Sequence, residues 1–262
     1  MTTLILSHGD KGGVGKSTVA ILMASRLHEY GRSMAILETD ARGLDSKAGG
    51  TPDVGPRFSG RIDEVVTLPL NDTDDDVDIE QSVANLIQVI ESLVGRGIDY
   101  IVLNTPASAS ATIEHEKVGS MLAALLEEIG VDLRVAYSLF PEERSTEDAA
   151  EAFNGDLIPS ASRKMIVANR FWGKPIAFDR YLGASKTLKN VTRVELPKAS
   201  SDIGELIRYR NRTNFLELSN DAESLDRATR FRIRRWYTDA ADRLLDGIGI
   251  SLETGEDEHG AQ

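Results

Sequence analysis

Apolar and polar positions follow two alternating patterns along most of the chain. Short apolar runs predict buried strands at residues 3–7, 33–38, 64–69, 99–106, 131–140, 163–168 and 191–196. Apolar residues at helical spacing predict helices at residues 18–30, 79–94, 114–129, 141–153, 201–209 and 221–248. This alternation predicts an α/β fold: a doubly wound, mostly parallel sheet of seven or eight strands with helices on both faces.

The turn between the first strand and the first helix has the sequence Lys-Gly-Gly-Val-Gly-Lys-Ser-Thr at residues 11–18. Its glycines let consecutive backbone N–H groups point at phosphate oxygens at the start of a helix. Lys16 would neutralise phosphate charge, the Ser17 hydroxyl would ligate Mg²⁺, and Thr18 would contact an α-phosphate. The alternative is a glycine-rich turn with incidental lysines. The standard motif also requires a glycine where Asp10 stands.

Lys11, five residues before Lys16, makes this segment resemble the deviant Walker A motif of the ParA/MinD family of P-loop ATPases. The resemblance implies one ATPase domain over residues 1–250. The polar and acidic composition at the end of the chain predicts a flexible tail at residues 251–262. It implies ATP or ADP with Mg²⁺ as cofactors and a homodimer on ATP binding, in which Lys11 reaches the nucleotide of the partner. The implied cofactor-binding residues in this segment are Lys11, Gly12, Gly13, Val14, Gly15, Lys16, Ser17 and Thr18.

Two further strand ends match the family at the edge where doubly wound sheets bind ligands. Asp40, after the second strand, matches the aspartate that positions the attacking water, although an acidic turn is the alternative. The resemblance makes Lys11, Lys16 and Asp40 the catalytic residues. It assigns the metal to Ser17, Asp40 and, through water, Asn104.

Asn104 departs from the family, because it begins an Asn-Thr-Pro sequence where relatives have Asp-Thr-Pro. An amide accepts a hydrogen bond from metal-bound water but brings no negative charge, so we expect weaker Mg²⁺ binding or slower turnover. Asn104→Asp is then expected to raise a slow rate. Residues 107–112 would form a second nucleotide-sensing switch. A nucleotide-dependent binding module with little hydrolysis is therefore an alternative, and a biosynthetic relative of dethiobiotin synthetase is a third.

The resemblance also implies where the base binds. An asparagine at the position of Asn169 hydrogen-bonds the adenine in relatives, and Pro197 follows the last strand where they place a residue against the ring. Arg170 belongs to the same set. A capping or turn role is the alternative for Asn169.

The composition narrows these possibilities. The chain has 262 residues, a formal charge of −12 and no cysteines. Disulfides, thiolate nucleophiles and cysteine-ligated metal centres are therefore excluded, together with the family branches that use them. The absence of a long apolar run and of a basic amphipathic tail leads us to expect a cytoplasmic protein that does not bind membranes.

Arginines concentrate in the last third of an otherwise acidic chain. They could bind DNA phosphates without reading sequence, or pair with the many acids on a solvated face. An activating protein partner is also possible within the family, and an aromatic loop at residues 171–175 could be its binding tip or a partly buried rim. The clustered arginines are Arg208, Arg210, Arg212, Arg227, Arg230, Arg232, Arg234 and Arg235.

Overall fold

The computed structural model describes residues 1–9, 11–39, 54–68, 76–106, 113, 116–170, 173–210 and 212–252. Several sequence-based expectations lie outside these residues: Asp40, the switch at residues 107–112, the aromatic pair Phe171 and Trp172, and the tail from residue 253 onwards. The side chain of Arg208 is also outside the described set.

The described strands are β1 Thr3–His8, β2 Met34–Glu38, β3 Glu64–Thr67, β4 Tyr100–Asn104, β5 Asp132–Leu139, β6 Arg163–Asn169 and β7 Thr192–Leu196. They form a seven-stranded sheet with the order β3-β2-β4-β1-β5-β6-β7. Each neighbouring pair is parallel, which confirms the predicted α/β sheet and settles its strand number at seven for the described residues.

Helices cover both faces of the sheet, as the sequence predicts. The helices are α1 Lys16–Glu29, α2 Asp76–Gly95, α3 Glu116–Glu128, α4 Glu143–Ala152, α5 Leu157–Ser160, α6 Pro175–Leu182, α7 Ser201–Tyr209, α8 Phe215–Asn220 and α9 Arg227–Gly247. The core on one face contains residues of α2 to α6, and the core on the other contains residues of α1, α7, α8 and α9. A 3-10 turn, Gly55–Arg57, precedes β3.

β1 lies at the centre of the sheet, between β4 and β5, and all of its residues are buried. A parallel strand buried on both faces requires a nearly continuous apolar sequence, which Leu4, Ile5 and Leu6 provide. Because the strands are parallel, the carboxyl ends of β1, β2, β4, β6 and β7 meet at one edge.

The predicted helix at residues 221–248 is wrong at its start. α9 begins only at Arg227, because the Asp226 side chain accepts hydrogen bonds from the Thr229 backbone N–H at 2.9 Å and from its hydroxyl at 2.7 Å. A helix that the sequence did not predict, α8, precedes it and begins with a capping box between Asn214 and Glu217. The apolar face of α9 is as predicted, with Ile233, Ala240 and Leu244 among its buried residues.

A polar cluster around Glu29 fastens α9 to α1. Glu29 accepts hydrogen bonds from Arg26 at 2.6 Å, from the Tyr237 hydroxyl at 2.5 Å and from Arg234 at 2.9 Å, while Arg26 also donates to Asp242 at 2.7 Å. Burial raises the pKa of Glu29. Hydrogen bonds from Tyr237 and Arg26 lower this pKa by a larger amount together, so the net pKa is below its usual 4.5. The ionised carboxylate therefore stabilises the helix pair.

We predict that this contribution is present above about pH 4.5 and is lost as the pH falls through the lowered pKa of folded Glu29. Glu29→Gln is expected to lower the free energy of unfolding by about 2 kcal/mol at pH 7 and by much less near pH 3. Urea unfolding at both pH values measures this, with exposed Glu128→Gln as the control. A deficit for Glu29→Gln that stays the same at both pH values would contradict the assignment.

Candidate functional site

The loop between β1 and α1 is held by buried polar contacts. The Ser7 hydroxyl donates to the Lys16 carbonyl at 2.9 Å, which anchors the first turn of α1 to the end of β1. Lys16 is only 7% exposed, and its ammonium donates to the Lys11 carbonyl at 2.9 Å. This hydrogen bond therefore links the end of the loop to its start.

The glycines of this loop adopt backbone conformations that other residues rarely take. Gly13 has a φ of 82° and Gly15, the N-cap of α1, has a φ of 109°. Gly15 has no side chain that could accept a hydrogen bond from the first N–H groups of α1. These N–H groups can therefore donate to another acceptor. Gly12 and Gly13 are exposed, Val14 is buried, and Ser17 and Thr18 are half-buried in the first turn.

Asn169, at the end of β6, lies against this loop. A Cβ built on Gly15 would be 2.8 Å from the Asn169 Nδ2 atom. Asn169 pairs in register with Leu196, the residue before Pro197, and the Arg170 backbone N–H donates to the Leu196 carbonyl at 3.2 Å. The structure thus brings Asn169, Arg170 and Pro197 to the same edge as residues 11–18, while their contact with adenine stays a prediction.

Glu38 and Asn104 form a buried pair at the ends of β2 and β4. They are register partners, and the Asn104 Nδ2 atom donates to Glu38 Oε1 at 2.7 Å. Glu38 Oε2 accepts from the backbone N–H groups of Val54 at 3.0 Å and Gly55 at 3.3 Å. Glu38 is 0% exposed and Asn104 is 1% exposed. The pair was not predicted from the sequence, in which its signal is an acid at the end of one predicted strand and an amide near the end of another.

Lys11 does not share the environment of Lys16. Its side chain is 49% exposed and forms an ion pair with Glu142 at 2.7 Å. Its ammonium also lies 4.8 Å from the centre of the Phe140 ring. The segment just after β5 therefore holds Lys11 at the site edge, through residues that the sequence analysis did not single out.

The residues present fit a nucleotide and Mg²⁺. The loop offers positive-φ glycines, a lysine and helix N–H donors, which is the set that binds phosphate. In addition, the Asn104 Oδ1 atom is buried and has no hydrogen-bond partner among the described residues. Asn104 pairs in register with Ser7, whose side chain reaches the first turn of α1, so the amide lies at the same edge. Asp40, the other expected metal residue, lies outside the described part.

The arginines divide into paired and exposed groups. Arg234 pairs with Glu29 at 2.9 Å and Arg210 pairs with Asp221, as the ion-pair alternative predicts. Arg227 and Arg235 are exposed and have no ion pair with any described residue. The other described arginines of the set are Arg212 and Arg232, which are exposed, and Arg230, which is half-buried.

The parallel sheet and the strand, glycine-rich loop and helix at its centre define a P-loop ATPase of the ParA/MinD type. The sequence matches the family described as ATPase MipZ over residues 3–135. The chain belongs to the MipZ family. No curated protein matches the sequence. No helix among the described residues is both long and apolar enough to cross a bilayer.

Solved structures show the same fold at low sequence identity. The cell division ATPase MinD of Pyrococcus furiosus is 17% identical, with a TM-score of 0.51, over 94% of this chain and 99% of that one. MinD of Pyrococcus horikoshii, complexed with Mg-ADP, is 18% identical, with a TM-score of 0.53, over 95% and 96%. A putative plasmid partition protein of Borrelia burgdorferi, bound to AMPPNP, is 17% identical, with a TM-score of 0.53, over 95% and 100%.

The contact between Gly15 and Asn169 leads to a prediction about the loop. Gly15→Ala places a Cβ at a positive φ and against the Asn169 side chain, which must move away, and is expected to lower the free energy of unfolding by about 2 kcal/mol. Gly97→Ala is the matched control, since Gly97 has a φ of 78° and nothing within 4 Å of its Cβ position. It is expected to cost about 1 kcal/mol. Equal losses in urea unfolding would show that Asn169 does not confine the loop.

Proposed function

We propose that the chain binds ATP with Mg²⁺ at residues 11–18, hydrolyses it, and forms a nucleotide-bridged homodimer that positions or partitions DNA or another cargo. The observation that carries this proposal is Lys11 beside a complete Lys16-Ser17-Thr18 sequence, in a loop with two positive-φ glycines. Membership of the MipZ ATPase family supports it. So does the fold, which holds Mg-ADP in one similar structure and AMPPNP in another.

The roles of the loop residues follow from their positions. The N–H groups of the loop and of the first turn of α1 would bind phosphate oxygens, and Lys16 would exchange the Lys11 carbonyl for a phosphate. Ser17 would ligate Mg²⁺, which neutralises charge between the phosphates when bound. Asp40 would orient the attacking water. Phosphoryl transfer needs placement and charge neutralisation more than covalent chemistry, and these groups supply both.

Lys11 would act across the dimer. Its ion pair with Glu142 is half-exposed, and such pairs contribute only about 0.2–1 kcal/mol. A nucleotide phosphate on a second copy of the chain carries more charge than one carboxylate and would therefore draw Lys11 away. The weak contact holds Lys11 near the interface without preventing its transfer.

Replacing Lys11 and replacing Lys16 should impair different properties of the protein. Lys16→Ala is expected to abolish ATP binding, because it removes the cation inside the loop. Lys11→Ala is expected to keep ATP binding and to lose the ATP-dependent dimer together with most phosphate release. Calorimetric titration with ATP, light scattering after gel filtration and phosphate assays measure the three properties, with Lys189→Ala as the control. Dimerisation of Lys11→Ala like that of the parent would refute its assigned role.

A second candidate function is a nucleotide-dependent binding module with little catalysis. The observation that favours it is Asn104, which stands where the family pattern has an aspartate. Steady-state phosphate release separates the two functions, since sustained multiple turnover by the parent chain would remove this alternative. ATP-dependent dimerisation without turnover would support it.

Non-specific DNA binding is a separate proposal that rests on α9. Arg227, Arg232 and Arg235 are exposed on its N-terminal half, close to the site edge, because the neighbouring Trp236 indole donates to the Pro197 carbonyl at 3.0 Å. A concentrated positive surface can bind phosphates even on a protein of negative net charge.

Replacing Arg227, Arg232 and Arg235 together by alanine is expected to weaken duplex DNA binding at least about tenfold at low salt and to flatten its salt dependence. Filter binding over a salt series with ATP present measures this. Arg243→Ala is the control, since Arg243 lies on the same helix and is paired with Asp239 at 2.9 Å. An unchanged affinity, or none in the parent, would dispose of the proposal.

A further inference from the structure

We infer that Glu38 and Asn104 act as one unit: Glu38 supplies the negative charge that Asn104 lacks, and it fixes the Asn104 amide so that the carbonyl oxygen faces the site. Glu38 is here a positioning residue that acts through Asn104. The pairing of Glu38 with Asn104 is independent of the proposed function. The role of the pair toward Mg²⁺ rests on the proposed function.

The chemistry of the donors fixes the orientation of the amide. Three donors contact the two carboxylate oxygens of Glu38: the Asn104 Nδ2 atom and the backbone N–H groups of Val54 and Gly55. A carboxylate with both oxygens accepting cannot donate, so the amide must turn its NH₂ group toward Glu38. The Asn104 oxygen is then directed away from Glu38. Reversing the amide would set two acceptors against each other in a fully buried place.

The position of the pair explains what the amide oxygen can bind. Glu38 and Asn104 each follow by two residues a core residue packed on the side of the sheet that α1 covers, namely Ile36 and Val102. Side chains two apart along a strand share a face, so Glu38 and Asn104 lie on that side too, at the end where α1 begins. A buried acceptor without a partner is costly, and a donor such as metal-bound water at this edge would satisfy it.

The pair also changes the expectation drawn from Asn104 alone. Position 104 carries no charge in this chain, but a carboxylate lies next to it, one strand spacing away on β2. Asn104→Asp would set two carboxylates at a distance of about 2.7 Å, in a place that is 0–1% exposed. We therefore expect that substitution to destabilise the chain rather than to activate it.

A charge exchange tests the pair. Glu38→Gln loses the charge and turns its NH₂ group toward Asn104, so the Asn104 amide must reverse and place its own NH₂ group where its oxygen faced the site. Asn104→Asp sets two acceptors together. Each substitution is expected to lower the melting temperature by about 5–10 °C. In the double variant Glu38→Gln/Asn104→Asp, the glutamine NH₂ group donates to the carboxylate introduced on β4, while the glutamine oxygen still accepts from Val54 and Gly55. Most of the lost melting temperature should return.

Thermal unfolding of the nucleotide-free chain measures the pairing, with Glu64→Gln on β3 as the control. Recovery in the double variant supports the pair, and additive losses overturn it. Should Asn104→Asp not fold, a folded double variant gives the same support and an unfolded one the same contradiction. None of these results depends on nucleotide binding.

The role toward Mg²⁺ has its own readout, the ratio of affinities for a fluorescent ADP with Mg²⁺ and with EDTA. In Glu38→Gln this ratio of affinities is expected to be about tenfold smaller than in the parent chain. In the double variant the ratio should return most of the way to the parent value. The same ratio in Glu38→Gln as in the parent would overturn this role. Failure of the proposed function gives a different result: the parent would not bind ADP at all, whatever the unfolding data show.

Discussion

The burial of β1 between β4 and β5 determines where the functional side chains lie. With an apolar strand at the centre of a parallel sheet, the loop that follows it must emerge at the edge where the other strands also end. The Ser7 hydroxyl then ties the loop to the start of α1. Glu38, Asn104 and Asn169 reach the same edge from β2, β4 and β6. The site is thus a consequence of strand order rather than of any one motif.

The contacts at this edge differ in strength, as the proposed change from monomer to dimer requires. Glu38 and Asn104 are fully buried, so breaking their hydrogen bonds would strand polar groups away from water. Lys11 and Glu142 are both partly exposed, and water replaces their contact at little cost. A buried contact that is costly to break and an exposed contact that breaks easily therefore lie beside the same loop.

Local sequence was sufficient for some of this arrangement. The loop at residues 11–18 could be predicted because strand, glycines, lysines and helix are contiguous, and most strands could be predicted from their apolar runs. The pairing of Glu38 with Asn104 could not, because it needs β2 next to β4, and the contact of Lys11 with Glu142 joins residues far apart in the chain. The late start of α9 was missed because the cap at Asp226 interrupts a pattern that periodicity alone would continue.

A crystal structure of the chain with Mg²⁺ and a non-hydrolysable ATP analogue would show the proposed contacts together. We expect the phosphates on the N–H groups of residues 12–18, Lys16 on a phosphate instead of the Lys11 carbonyl, and Lys11 released from Glu142 onto the nucleotide of a second copy. We also expect the Asn104 oxygen within hydrogen-bond distance of a metal-bound water. A nucleotide bound elsewhere, or bound here with Lys11 still on Glu142 in a monomer, would contradict the proposal.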